Sequence, residues 1–401
     1  MNALLSEHAE GADRVRIGIA GFGTAGRSFV SAIQAHPGYQ LVAIAEPVAA
    51  VREEIANTLG LAVYGSLAEM LVHPDLDAVY IATPTKLHTE HVLLALGAKK
   101  HVLVEKPMAV NVEHAKAMVQ ASDASGLVFV VGHSHGYDLP IQRMREIIIG
   151  GSLGRVRMVN TWCYSDWMQR PRRADELDTT QGGGVTYRQG SHQFDVIRLL
   201  CGGVVRSVRA RTLDWNPERK GIGAHVVFMD FEDGAVATAV YNGYGAFSST
   251  DLCFDVTESG FRQPTEYKPR LQGDAGTKTG DDVALAKQAR ARNSNWASAP
   301  YQPFFGLTLV SCERGDIRQS PQGLLIYSDR GVAEIVLPTD RSPRDLVLAE
   351  LHNAIVGKER ALHNAHWGMA NLEVCDAAIE SSRSGRDVLL RHQVPIRKKA
   401  A

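Results

Sequence analysis

Short apolar runs alternate with helical patterns through the first third of the chain. VRIGIA (15–20), LVAIA (41–45), AVYIATP (78–84), HVLVEKP (101–107) and LVFVVG (127–132) are near-continuous apolar blocks, two of them stopped by proline. Between them, apolar residues recur at three- and four-residue spacing through Ile33, from Val48 to Leu59, from Leu87 to Leu96 and from Val112 to Ala124. A strand that is apolar at nearly every position is buried on both faces, as in a parallel sheet flanked by helices. The pattern predicts a doubly wound α/β domain of the Rossmann type.

After about residue 150 the period changes. VRMVNTWCY (156–164), VRSVRART (205–212), AHVVFMDFEDG (224–234), AVATAVYNGYG (235–245), LTLVSC (307–312), GLLIYSD (323–329) and VAEIVL (332–337) read as successive strands. FEDGAV contains Asp-Gly, which supplies the positive φ of a tight hairpin. These runs predict a second, α+β domain with a large, mostly antiparallel sheet. Residues 259–303, rich in Gly, Lys, Gln, Ser and Ala, read as a long surface loop with one short helix, DDVALAKQARA. Helical patterns return from Ser342 to Ser384, ahead of a basic tail. The reading places a dinucleotide-binding domain at 1–135 and a substrate-binding and oligomerisation domain at 136–365, with a helix at about 366–385 packing back on the first.

Composition narrows the function classes. With 401 residues and a formal net charge of −1, the chain has no broad nucleic-acid footprint. No apolar run approaches the length of a bilayer span, and the first residues lack a secretory pattern, so no membrane partner is expected. Five scattered cysteines without a CxxC pair fit a reducing cytoplasm.

The first chemical motif is GFGTAG, Gly21, Gly23, Thr24, Ala25 and Gly26 with Phe22 between the first two glycines. It follows a strand and opens a helix, the context that a dinucleotide turn requires. Gly21 permits the turn, Gly23 lets a pyrophosphate approach, and Gly26 allows close helix–sheet packing. Glu46, at the end of the second strand, can accept hydrogen bonds from ribose hydroxyls and repels a 2′-phosphate. NAD is therefore favoured, with NADP as the alternative. Lys106, in Glu105-Lys106-Pro107, stands at a later strand end and so on the rim of the same crevice. GGGVTYRQGSHQFD (182–195) places Arg188, His192 and Asp195 at i, i+4 and i+7, one face of a continuous helix.

The order GFGTAG, IATPTKLHTEHVLLAL, HVLVEKP and GGG…GSHQFD resembles the Gfo/Idh/MocA oxidoreductase family along nearly the whole chain. The resemblance implies a Rossmann domain, a second domain with an open sheet, a homo-oligomer, and hydride transfer between NAD(P) and a carbinol carbon. It implies Lys106 and His192 as the catalytic pair, with Thr83, Pro84, His88 and Glu105 lining the dinucleotide. One departure stands out. Arg188 occupies the position where the family pattern D-x-G-x-H has aspartate. A guanidinium there can grip a carboxylate. Arg170, Arg172 and Arg173 lie upstream, beside Trp167, which reads first as core or interface and second as a candidate ring contact. Together they predict an anionic small-molecule substrate. The stretch from Asp166 to Leu200 is similar to the family branch that dehydrogenates carboxylated cis-dihydrodiols such as that of phthalate. His192 is read as the general base, Lys106 as the donor to the developing oxyanion, and Asp195 as orienting His192; the first two could exchange roles. His135, in GHSHG, is a candidate substrate contact. His133 and His135 lack a third ligand at convincing spacing, so no metal is expected. Arg172 and Arg173 could instead pair with Asp175 and Glu176. A sugar, inositol or uronate dehydrogenase and a non-catalytic dinucleotide-binding regulator remain as alternatives.

Overall fold

The computed structural model describes residues 14–263, residue 283 and residues 299–396. The apolar blocks of the first third form strands β1 (Val15–Ala20), β2 (Tyr39–Ala45), β3 (Ala62–Tyr64), β4 (Ala78–Ile81), β5 (His101–Glu105) and β6 (Phe129–Gly132). Helices α1 (Thr24–Ala35), α2 (Ala49–Leu59), α3 (Leu67–Met70), α4 (Thr85–Gly97) and α5 (Val112–Ser125) alternate with them. The sheet is parallel, in the order β3-β2-β1-β4-β5-β6. The order reverses between β1 and β4, so the crevice for a ligand opens at the carboxyl ends of these strands.

Helix α6 (Leu139–Ile149) leads into the second sheet. Its strands are β7 (Val156–Tyr164), β8 (Val205–Leu213), β9 (Ala224–Phe231), β10 (Val236–Asn242), β11 (Leu307–Cys312), β12 (Gly315–Ser320), β13 (Gly323–Ser328), β14 (Gly331–Val336) and β15 (Val388–Leu389). They lie in the order β14-β13-β12-β11-β7-β10-β9-β8-β15, antiparallel except where β10 runs beside β7. Between β7 and β8 come α7 (Ala174–Leu177), α8 (Gly184–Arg188) and α9 (Gly190–Leu200). The chain closes with α10 (Pro343–Ile355) and α11 (Ala365–Ser384). The long loop expected at 259–303 lies mostly outside the described residues.

Helices α6, α9 and α11 cover one face of the large sheet. The other face is open and carries exposed Met158, Trp162, Val226 and Phe228. Helix α11 packs on both α5 and β8, and Ser381 and Ser382 accept hydrogen bonds from the backbone of β8 at Ala210 and Thr212. One core therefore runs from Val104 and Met118 through Phe194 and Ile197 to Met229 and Val310, with Trp367, Leu372 and Cys375 of α11 inside it. Residues 343–355, placed by the sequence with the second domain, join the other side of the first sheet: Val347, Leu348 and Leu351 pack with Ile17, Ile33 and Tyr80. Among the described residues, no helix is long and apolar enough to cross a membrane.

Candidate active site

The glycine turn stands where β1 meets α1. Gly21 has φ +91°, and a Cβ on it would lie 2.9 Å from the Ala82 carbonyl. A Cβ on Gly26 would collide with the Gly21 carbonyl, so α1 starts tight against the turn. Over Gly23, by contrast, nothing lies within 4 Å of the Cβ position, and Gly23 and Thr24 are exposed. With Ala25 they form the bare amino end of α1, and Gly23 at its N-cap has no side-chain capping bond. Open space over unsatisfied N–H groups and a positive dipole end is what a pyrophosphate needs. The residues present therefore fit the dinucleotide. The variant Gly23→Ala is expected to keep its melting temperature, because the methyl meets no protein atom. It should weaken NAD binding by roughly tenfold or more by filling the phosphate approach. Calorimetric titration checks both points in one preparation.

Glu46 directly follows β2. Its Oε2 accepts from the Phe22 N–H at 2.9 Å and its Oε1 from the Val48 N–H at 3.0 Å. It thus ties the glycine turn to the end of β2, and each oxygen keeps a lone pair for a ribose hydroxyl. Thr83 abuts the turn through its backbone N, while its hydroxyl meets His91 Nδ1 at 3.0 Å; Pro84 caps α4. Glu105 accepts from the Tyr80 hydroxyl at 2.6 Å. His88 departs from expectation. It is buried, 2.8 Å from the Thr83 carbonyl and 3.0 Å from the Pro107 carbonyl, so it braces two strand-end turns instead of lining the crevice. Burial pushes its imidazole down to about 4.

The predicted single stripe of Arg188, His192 and Asp195 is corrected by the structure. Helix α8 stops at Arg188, and Gln189 has φ −120° and ψ −40° before α9 begins. The His192 N–H bonds the Gln189 carbonyl, leaving the Arg188 carbonyl without its helical donor. Lys106 Nζ donates to that carbonyl at 2.9 Å. The break therefore does chemical work, because it docks the lysine beside the helix that carries His192. The His192 ring lies edge-on to His135 at 4.6 Å and to Phe305 at 5.1 Å, and His135 stacks on Phe305 at 4.2 Å. Asp195 does not orient His192. Its Oδ1 accepts from Trp367 Nε1 at 2.6 Å, and its Oδ2 lies 3.5 Å from His363 Nε2.

The arginines separate into two groups. Arg188 donates to the Thr85 hydroxyl at 2.9 Å and to Glu176 Oε1 at 3.4 Å. Arg172 stacks on Trp167 at 4.1 Å and lies 3.9 Å from the same Glu176 oxygen. Arg170 pairs with Asp166 at 2.7 Å. Arg173 is gripped through two nitrogens by Asp175, at 2.8 and 2.9 Å, and does not join the others. Trp167 is 1% exposed in a small core with Tyr241, Tyr244 and Phe305. It supports Arg172 from within the core, the first of its two readings, and has no face left for the substrate ring of the second.

Charge follows from this packing. Burial and then the Arg188 guanidinium push Lys106 down to about 8, against Glu105 and Glu258. Burial, then Lys106, His135, His133 and Arg188, hold His192 well below its ordinary value. Burial takes Arg172 down to about 10, opposed by Glu176. Arg172 and Arg188 thus share the buried Glu176 carboxylate, and Lys106 lies against Arg188 on the side of Glu105 and Glu258. Glu176 and Phe305 were not among the residues singled out for substrate. The signal for Glu176 was its place one turn from Arg172 and Arg173; Phe305 sits 113 positions beyond His192 with no motif around it. Among the described residues, no cluster of three or more His, Cys, Asp or Glu is placed to hold a metal.

Comparison with known proteins agrees with this geometry. Residues 15–133 match a model described as an oxidoreductase family's NAD-binding Rossmann fold, and residues 141–258 match a GFO/IDH/MocA C-terminal domain. A 1-carboxy-3-chloro-3,4-dihydroxycyclohexa-1,5-diene dehydrogenase of Comamonas testosteroni is 35% identical over 379 residues, spanning 92% of this chain and 95% of that protein. A 4-carboxy-2-hydroxymuconate-6-semialdehyde dehydrogenase of Sphingobium sp. is 33% identical over 195 residues, 48% of this chain and 61% of that protein. The crystal structure of an assumed dehydrogenase from Bordetella bronchiseptica RB50 is 38% identical and superposes with a TM-score of 0.88, over 94% of this chain and 100% of that one.

Proposed function

Because the chain belongs to the Gfo/Idh/MocA oxidoreductase family and carries its NAD-binding Rossmann fold, we propose that it oxidises a carboxylated cis-dihydrodiol, the 4,5-dihydrodiol of phthalate, to the corresponding catechol. The observation that carries this reading is the convergence of two guanidiniums, Arg172 and Arg188, on one oxygen of the buried Glu176 carboxylate, with Lys106 docked beside Arg188. That excess of positive charge suits a ring with carboxylates and penalises a neutral polyol, whose hydroxyls would leave desolvated guanidiniums unpaired. The Comamonas relative is named for a carboxylated dihydroxycyclohexadiene, which supports the same substrate class.

Gly21 to Gly26 would hold the pyrophosphate, Glu46 the ribose, and Thr83, Pro84 and Glu105 the inner wall. Bound there, the nicotinamide supplies the acceptor for the carbinol hydride. His192 takes the hydroxyl proton. Lys106 hydrogen-bonds the oxygen as it gains negative charge. Arg172 and Arg188 hold carboxylates, with His135 and Phe305 beside the ring. Arg170 stands at the margin of this set. The first sheet and its helices thus serve the dinucleotide, and the second sheet with α6 to α9 serves the substrate. The open apolar face of the second sheet supports a homo-oligomer. Cysteine usage supports a cytoplasmic setting.

NADH formation tests the reading. The phthalate 4,5-dihydrodiol, a uronate and myo-inositol are each offered with NAD and with NADP. Turnover of the dihydrodiol, faster with NAD, is expected; turnover of inositol alone rejects the arginine argument, and no turnover at all favours a regulator. The pH profile gives an independent check. The neutral form of His192 prevails above its depressed pKa, while the charged form of Lys106 is lost as pH rises through about 8. The ratio kcat/KM should therefore fall above pH 8, and Lys106→Arg should move that falling limb to higher pH.

A further inference from the structure

A chain of buried ionisable groups lies behind His192 and takes no part in the chemistry above. His133 follows β6 directly, is buried, and has neither ring nitrogen hydrogen-bonded to any described residue. His192 Nδ1, Asp195 Oδ2 and His363 Nε2 are likewise buried without a hydrogen-bond partner among the described residues. His192 and Asp195 stand three residues apart on α9 and so are neighbours along it, with His133 and His363 on the side of Asp195. The His133 and His363 rings are 6.3 Å apart. Asp195 Oδ2 is 3.5 Å from His363 Nε2. Gly136 borders the same gap: a Cβ on it would strike Asp195 Oδ2 and lie 3.1 Å from His363 Nε2. On its far side, His363 Nδ1 is 3.3 Å from Glu350 Oε2, and Glu350 Oε1 accepts the His363 backbone N–H at 2.8 Å. The Glu350 side chain is 19% exposed. Buried polar atoms in native proteins are satisfied by protein or by ordered water, and several converging on one gap suit a bridging water.

Alcohol oxidation deposits one proton per turnover in the site. His192 is 4% exposed and walled by Phe305 and His135, so a bound substrate closes its outer side. An imidazole that gains a proton on one nitrogen can release one from the other without turning. We propose that the proton leaves inward, from His192 to His133 and through Asp195 and His363 to solvent at Glu350. The substrate hydroxyl proton binds one nitrogen of His192 and the opposite N–H passes to His133. His133 hands a proton to the Asp195 carboxylate. His363, already protonated on both nitrogens, first releases its Nδ1 proton to Glu350, which gives it to water, and its ring then turns the bare nitrogen to Asp195 and takes that proton. His192 and His133 are left as their other tautomers and return to the starting ones by exchange through water, so one proton leaves per turnover and no oxidant or reductant is consumed.

The surrounding charges suit this direction. His133 is held down to about 4 by burial; Asp195 favours its charged form, while His363, Arg198 and Lys106 oppose it, so it holds a proton only in passing. Burial would neutralise Asp195, but His363 and His133 outweigh it and keep the carboxyl ionised. Burial opposes charge on His363, yet Glu350 and Asp195 on either side push it up to about 9. Lys106, His135, His133 and Arg188 all disfavour charge on His192, which drives the proton onward.

The proposal rests on placing the acid–base chemistry at His192 and Lys106. It is tested on whichever of the dihydrodiol, uronate or inositol the enzyme oxidises, so an error in the substrate and an error in the route are distinguishable. His133→Asn is expected to lower kcat by roughly tenfold in dilute non-nucleophilic buffer with KM unchanged. Added imidazole should restore much of the loss, and the solvent deuterium isotope effect on kcat should rise. Glu350→Gln, at the far end and away from substrate, should change kcat in the same direction, and it decides the matter if His133→Asn does not fold. Wild-type kcat in Glu350→Gln and His133→Asn overturns the route. So does a loss that ignores imidazole and leaves the solvent isotope effect unchanged, since that marks packing alone.

Discussion

Exchange of His192 for asparagine is expected to lower kcat by roughly 10²- to 10⁴-fold, the span that a positioned general base contributes. NAD affinity should hold, because the glycine turn and Glu46 lie on another element. The proposed mechanism makes the imidazole the acid–base group, and the break between α8 and α9 docks Lys106 beside its helix. Asparagine approximates its bulk against Phe305 and His135 but cannot take a proton. Lys106→Met should also cut kcat, by on the order of 10²-fold, through loss of a donor aimed at the developing oxyanion. If the two residues act as a unit, the double variant will be little worse than the poorer single one. A set of steady-state assays with isothermal titration of NAD separates these outcomes. Near-normal turnover in His192→Asn would remove this residue from the chemistry.

The second large effect falls on substrate selection. Arg188→Gln should reduce kcat/KM for a carboxylated dihydrodiol by about 2–5 kcal/mol, the cost of losing a desolvated charge-assisted pair. For a neutral polyol the same change should be small. Glutamine can keep the hydrogen bond to Thr85, so the glycine-rich lead into α8 stays docked on α4. Glu176 retains Arg172 nearby, which limits collateral damage. Kinetics on a matched pair, one substrate with and one without carboxylate, give the answer as a ratio. Equal losses on both would show that Arg188 serves structure and not recognition.

Much of the architecture was readable because parallel strands buried on both faces are apolar at nearly every residue. β12 was not, since GDIRQS is largely polar and its Ile317 alone marks a core position. α6 was also missed, although Asp138 at its N-cap and Pro140 in its first turn form a start signal, because Leu139 to Ile149 follows a Gly- and His-rich turn. In the site, Lys106, His192 and Arg188 were visible from motif and spacing. The helix break at Gln189 was not, because Arg188, His192 and Asp195 keep helical spacing across it. The partners of Asp195 were also hidden. Trp367 lies 172 residues beyond it, and no local periodicity connects positions that only tertiary packing joins. Trp167 kept two readings for a similar reason, as a tryptophan beside arginines reads alike whether it faces a ligand or supports a guanidinium from below.

Helix α11 has a consequence for how such a chain can be taken apart. Its residues complete the packing of α5 on one side and of β8 on the other, within one continuous core. The two sheets are separate in topology but not in thermodynamics. A fragment ending at residue 135 would present Met118 and its neighbours to water, and a fragment starting there would lack the sheet that α10 needs. Exchange of one half for that of a relative is therefore not a swap of modules, and any chimera has to carry the last 60 or so residues as a third part matched to both.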